Sequence, residues 1–138
     1  MRLPRSGPGD GACVCGSGRG YASCCGPLHD GAAAVTAEAL MRSRYAAYAL
    51  GLEDHLFRTW HPRTRPAGPL TGGGLVWCGL RVLRTEAGGA DDTVGVVEFE
   101  ADHQVPRDGR AGTVVRTMRE VSRFERRAGR WVYVDAVT

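Results

Sequence analysis

Residues 93–104 read TVGVVEFEADHQ, and this stretch decides the fold. Val97, Phe99 and Ala101 alternate with Glu98, Glu100 and Asp102. A period of two is the signature of a strand with one buried and one solvated face. The neighbouring segments have the same texture. LVWCGLRVLRTE (75–86) is rich in β-formers and is separated from 93–104 by the turn GGADD. PRDGRAG (106–112) turns the chain again. TVVRTMREVSRFERR (113–127) makes a long strand, RAGR a tight turn and WVYVDAV a last strand. Hairpin-length connections predict an antiparallel sheet of about four strands.

The chain before this block is helical. TAEALMRSRYAAYALG (36–51) places Ala37, Leu40, Met41, Tyr45 and Tyr48 on one stripe at helical spacing. Thr36 can cap the helix, Glu38 suits the positive end of its dipole, and Gly51 is a fitting stop. A short second helix is expected from Glu53 to about Thr59. Helices first and hairpin-linked strands afterwards predict an α+β domain. Three prolines, Pro62, Pro66 and Pro69, and the run Gly72–Gly73–Gly74 make the connection between the halves a loop.

At 138 residues the chain suits one domain with a small appendage, and it is long enough for a hydrophobic core. Hydrophobic content of 43% and charged content of 24% are those of a soluble globular protein. The chain has no lysine, and a net charge of +3 is too small to imply nucleic acid. The N-terminal MRLPRSGPGDG lacks the apolar run of a signal peptide, and no stretch reaches a membrane-spanning length. A cytoplasmic location follows as the expectation, with residues 1–12 disordered.

Four of the five cysteines fall in CVCGSGRGYASCC (13–25). In a reducing compartment such clusters serve metals or catalysis more often than disulfides. The absence of C-x-x-C weakens a redox reading. Cys13, Cys15, Cys24 and Cys25 supply the four thiolates that zinc prefers, in a closed and therefore structural site. His29 follows closely and competes with Cys25 for the fourth place. The fifth, Cys78, lies in an apolar strand and is expected to be a small buried hydrophobe.

C-x-C-G-S-G-x-x-Y-x-x-C-C resembles the SEC-C motif, the small zinc module named for the C-terminus of the SecA translocation ATPase. SecA-type versions usually end on His where this chain has Cys25. CGPLHDG, TAEALMRSRYAAYALG, TWHPRTRP and SRFERRAGRWVYVDA extend the resemblance to the YchJ-like family of small bacterial proteins. That resemblance implies a zinc knuckle over 13–31 and a nuclear-transport-factor-2-like domain over 32–138. It implies a cystatin-like cone, with helices packed on a curved antiparallel sheet, and brings no reaction with it.

Three functions are weighed. The first is a protein-interaction module that holds Arg19 and Tyr21 of the knuckle towards a partner. A second surface is offered by Trp60, His61, Arg63 and Arg65 in TWHPRTRP, where guanidinium groups could grip carboxylate or phosphate. The second is a small-molecule or enzymatic pocket in the cone, walled by Tyr45, Tyr48 and Trp77, with His55, Asp102 and His103 as polar candidates. Neighbours on a strand face opposite ways, so Asp102 and His103 reach one pocket together only across a bulge. His55 is expected to be exposed or partly packed, and cross-strand pairing with arginine is the simpler use of the strand acids. The third, weakest function is nucleic-acid binding through Arg63, Arg65 and the strand arginines. The first is preferred, without catalysis, and the fold class allows a homodimer through the open sheet face.

Overall fold

The structure, a computed structural model, describes residues 11–137; the expected disordered N-terminus therefore lies almost wholly outside the described residues. A single 3-10 turn (Tyr21–Ser23) leads into α1 (Cys25–His29), followed by α2 (Ala37–Leu50) and α3 (Glu53–Arg58). Four strands complete the chain: β1 (Val76–Ala87), β2 (Val94–Pro106), β3 (Thr113–Arg127) and β4 (Arg130–Ala136). They form one antiparallel meander in the order β1-β2-β3-β4. The α+β architecture expected from sequence is the one observed.

β2 alternates as its sequence does. Val97, Phe99 and Ala101 are buried against the helices, and Glu98, Glu100 and Asp102 face outwards. On that outer face Arg81 bonds Asp102 at 2.8 Å, Arg84 and Arg119 bond Glu98, and Arg123 bonds Asp135 at 2.7 Å. These four arginines are matched by carboxylates on adjacent strands.

α2 lies across the inner face, in contact with β1, β2 and β4. Thr36 accepts the amide of Ala39 at 3.0 Å as the N-cap, and Gly51 ends the helix in the left-handed region. The helix start is pinned to the β1–β2 hairpin by Ala37 N–H donating to the Gly88 carbonyl at 2.9 Å. Gly95 permits this approach, because a Cβ there would lie 2.6 Å from Gly88 Cα and 3.0 Å from Ala37 Cβ. The core continues through Leu56, Phe124, Trp131 and Val134. The indole of Trp131 donates to the Val35 carbonyl at 3.1 Å.

After α3 the chain runs beside β4. Tyr133 N–H donates to Thr59 and His61 N–H to Tyr133, each at 2.8 Å. These two bonds seat Trp60 against the Tyr133 ring, edge to face, with centroids 5.0 Å apart.

Two expectations about burial fail. Cys78 is exposed rather than buried. A register shift between Trp77 and Gly79 bulges Cys78 out of the β1–β2 pairing. His55 is 3% exposed rather than open to solvent, because α3 turns it onto Ser43 of α2.

Candidate metal centre and cone cavity

The cysteine segment is a miniature hairpin before it is a metal site. Ala12 bridges Gly20, and Cys13 N–H donates to the Arg19 carbonyl at 2.8 Å. Gly16 turns the chain at φ 79°, a conformation that costs glycine little, and its amide donates to the Cys13 carbonyl at 3.2 Å. Cys15 and Cys13 thereby project to one side. The 3-10 turn and α1 return Cys24 and Cys25 to meet them. Gly26 is needed there, since a Cβ would come within 2.8 Å of the Tyr21 carbonyl oxygen.

The four sulfur atoms all lie within 4.8 Å of one another, and all four residues are buried. Cys15 and Cys24 are 3.5 Å apart, Cys24 and Cys25 3.9 Å. A tetrahedron with bonds of about 2.3 Å has edges of about 3.8 Å, so the thiols fit a zinc-sized ion. Electrostatics favour thiolate at Cys15, whereas burial pushes the Cys13 thiol up. A hydrogen bond from Cys25 holds Cys15 down to about 4, and the Cys25 thiol is correspondingly pushed up. Ser17 Oγ sits 3.1 Å from Cys24 Sγ and accepts the Arg19 amide, so its own proton is free for the sulfur.

His29 has both ring nitrogens committed elsewhere. Nε2 donates to the Ser43 carbonyl at 2.8 Å, which leaves Nδ1 to accept from the Tyr21 hydroxyl at 2.6 Å. Burial lowers its pKa and keeps the ring neutral. The Tyr21 hydroxyl is therefore turned inwards, not held out to a partner. The knuckle is also tied to the rest of the molecule. Arg42 of α2 donates to the Cys15 carbonyl at 2.8 Å, and the cysteines share one buried cluster with α2 and the sheet.

A second site lies in the cone. Between α2 and the sheet is a cavity of about 310 Å³, walled by Tyr45, Tyr48, Trp60, Trp77, Phe99 and Phe124. The three aromatic walls expected from sequence are there. The expected polar residues are not. Asp102 faces the opposite side of the sheet, where Arg81 and Thr117 hold its carboxyl well below the ordinary range. His103 stacks near Trp77, and His55 packs behind α2.

The polar groups of the cavity are Arg44, Glu120, Ser122 and Tyr133. Arg44 is 5% exposed, and its guanidinium lies against both Trp60 and Tyr133, 4.8 and 4.7 Å from the ring centroids. Its Nη1 donates to the Leu56 carbonyl at 3.1 Å and to Thr59 Oγ1 at 2.7 Å. Among the described residues it has no ion-pair partner, and burial lowers its pKa to about 10. Glu120 accepts from Ser122 at 2.7 Å and from Tyr133 at 3.1 Å. The cavity thus offers a cation and an acceptor inside an aromatic box.

Sequence reasoning missed both charges. Arg44 had a signal: it sits four residues from Leu40 and four from Tyr48, on the apolar stripe itself. Glu120 shares the inward face of β3 with Met118, Ser122 and Phe124, away from the paired outer charges. The loop 60–65 is divided by the fold. Trp60 stays at the cavity wall, whereas His61 and Arg63 turn to Glu125 at 3.9 and 3.7 Å. Arg65 stacks on Phe57 at 3.7 Å.

The chain is similar along most of its length to known proteins. Residues 36–136 match a family model described as the YchJ middle NTF2-like domain, and residues 12–27 match the SEC-C motif. A UPF0225 protein of Streptomyces coelicolor is 49% identical over 124 residues, spanning 89% of this chain and 92% of that one. Another, from Deinococcus radiodurans, is 51% identical over 125 residues, spanning 90% and 87%. The solution structure of a SEC-C motif containing protein from Rhodopseudomonas palustris superposes with a TM-score of 0.73 at 37% identity, covering 90% of this chain and 95% of that one. The crystal structure of another, from Psychrobacter arcticus, gives 0.66 at 25% identity, covering 89% and 80%. With the family model and relatives at about half identity spanning nearly the whole chain, the protein belongs to the UPF0225 family, in which a SEC-C motif joins a YchJ-type NTF2-like domain.

Proposed function

We propose that this chain is a cytoplasmic small-molecule-binding protein whose cone is braced by a structural zinc ion. Cys13, Cys15, Cys24 and Cys25 would hold the metal, which supplies a rigid cross-link and no open coordination position. The knuckle (13–31) is then a brace on the cone domain (32–138) and not the working site. The observation that carries the reading is Arg44, a buried guanidinium with no ion-pair partner among the described residues, in the wall of a cavity of about 310 Å³. An unpaired buried charge is costly to keep, and ligand recognition is a reason to keep it. The cavity suits a compact ligand with a flat apolar body and a polar end that accepts from Arg44 or donates to Glu120.

A knuckle surface built on Arg19 and Tyr21 is less well supported, because the Tyr21 hydroxyl is spent on His29. Ligand-observed NMR with a set of hydroxylated and carboxylated aromatic fragments tests the pocket. Fragments should bind the wild type and lose the signal in Ala101→Phe, which fills the cavity from β2. Equal binding to both proteins would rule the cavity out.

A further inference from the structure

Trp60 also lines a second concavity, about 500 Å³, between the α1–α2 linker, α3 and the β3–β4 hairpin. Its lining includes Leu28, Ala34, Leu40 and Trp131. Its charged groups are four arginines, Arg58, Arg65, Arg127 and Arg130, and no acidic residue lines it. Arg58 alone of the four has a carboxylate partner among the described residues, Asp54 at 2.8 Å. Arg65 donates to the Phe57 carbonyl and Arg130 to that of Gly31, bonds that hold the side chains without neutralising them. The Arg127 side chain makes no hydrogen bond or ion pair among the described residues and is exposed. This contrasts with the outer sheet face, where Arg81, Arg84, Arg119 and Arg123 all meet acids.

A second observation points to an occupant. His55 lines this groove, is 3% exposed, and has no partner for Nδ1. Ser43 Oγ spends its proton on the Leu40 carbonyl at 2.7 Å, so it accepts from His55 Nε2 at 2.9 Å. His55 Nδ1 is then a bare acceptor, and a buried acceptor without a donor is costly. That nitrogen is itself covered, so a main-chain N–H from an occupant would reach it only as the groove lining opens on binding.

From the unmatched arginines, the apolar lining and the orphaned His55 nitrogen, we infer that this groove docks an acidic peptide segment of a partner protein. One bulky apolar side chain of that segment would sit against the half-buried Leu28, with Asp or Glu on either side meeting Arg127, Arg130 and Arg65. Nucleic acid fits less well. Trp131 is 2% exposed and offers no open face for a base, and unspecific strand binding relies on exposed aromatic platforms. The inference is independent of the cone ligand.

The test is fluorescence anisotropy with a short labelled peptide carrying Leu-Phe between runs of glutamate. Control probes are the same peptide with glutamine for glutamate and a short single-stranded DNA. The acidic peptide should bind at low salt and weaken at least tenfold at about 0.3 M salt, as exposed charge contacts do. Arg127→Glu, which breaks no side-chain hydrogen bond or ion pair among the described residues, should weaken it roughly tenfold, and Arg127→Glu with Arg65→Gln more. Ala101→Phe, which fills the other cavity, should leave it unchanged. The inference is overturned if the acidic peptide does not bind at low salt. It is equally overturned if the glutamine peptide or the DNA binds as tightly, or if Arg127→Glu has no effect.

Discussion

Replacing Arg44 by Met separates a binding role from a structural one. Burial holds the Arg44 pKa at about 10, below the ordinary guanidinium range. That displacement corresponds to roughly 3 kcal/mol against the charged form in the fold. Methionine keeps most of the stem volume beside Trp60 and Tyr133 and removes the charge. Against this, the Leu56 carbonyl and Thr59 Oγ1 each lose a donor, at about 1–2 kcal/mol apiece. Thr59 keeps its own bond to the His55 carbonyl at 2.7 Å, which softens its loss. The ring contacts contribute about 1 kcal/mol more. Losses and gain nearly cancel. The account expects Arg44→Met to change unfolding free energy by no more than about 2 kcal/mol, a shift of about 1 M or less in the urea midpoint. Fragment affinity in the cone should fall at least tenfold. A loss beyond about 4 kcal/mol, with fragment binding retained in the folded fraction, would make Arg44 a structural anchor and refute the reasoning.

Three further outcomes follow from the same geometry. Burial drives His55 down to about 3, so between there and about 6.5 the unfolded chain takes up a proton that the folded one refuses. Its stability contribution is complete above about 6.5 and is lost as pH falls, by up to about 1.4 kcal/mol per pH unit; His55→Gln should flatten that slope in urea titrations at pH 7 and 5.5. Gly26→Ala forces a Cβ to within 2.8 Å of the Tyr21 carbonyl and 3.1 Å of its ring. It should cost about 1–3 kcal/mol and lower the melting temperature, and an unchanged melting temperature would contradict the packing. With metal bound, a thiol reagent should modify Cys78 at once and the four buried cysteines only after a chelator is added. Rapid reaction of all five would show that the knuckle is open.

The parts of the fold that were legible in the sequence are those set by local periodicity. Val97, Phe99 and Ala101 announced β2, and Thr36 and Gly51 bounded α2, because alternation and capping act within a few residues. The cysteine spacing was legible for the same reason. The cavity charges were not, since they depend on how elements meet. Glu120 faces inward because β3 pairs β2 and β4 in one particular register, which no property of β3 alone announces. Cys78 was misread because a one-residue bulge reverses a side chain without changing composition. His55 was misread because its burial comes from Ser43, on a different helix. The TWHPRTRP loop reads as one basic patch, and Glu125 of β3 draws His61 and Arg63 away from Trp60.

The central claim is that the thiols brace the molecule with zinc while the cone binds the ligand, as two separate sites. Native mass spectrometry of the protein with the tightest NMR fragment tests it most directly. The account predicts one zinc and one fragment per chain, zinc kept but fragment lost in Ala101→Phe, and zinc lost in Cys13→Ser. A wild-type chain without zinc, or a fragment that displaces the metal and survives in Ala101→Phe, would contradict it.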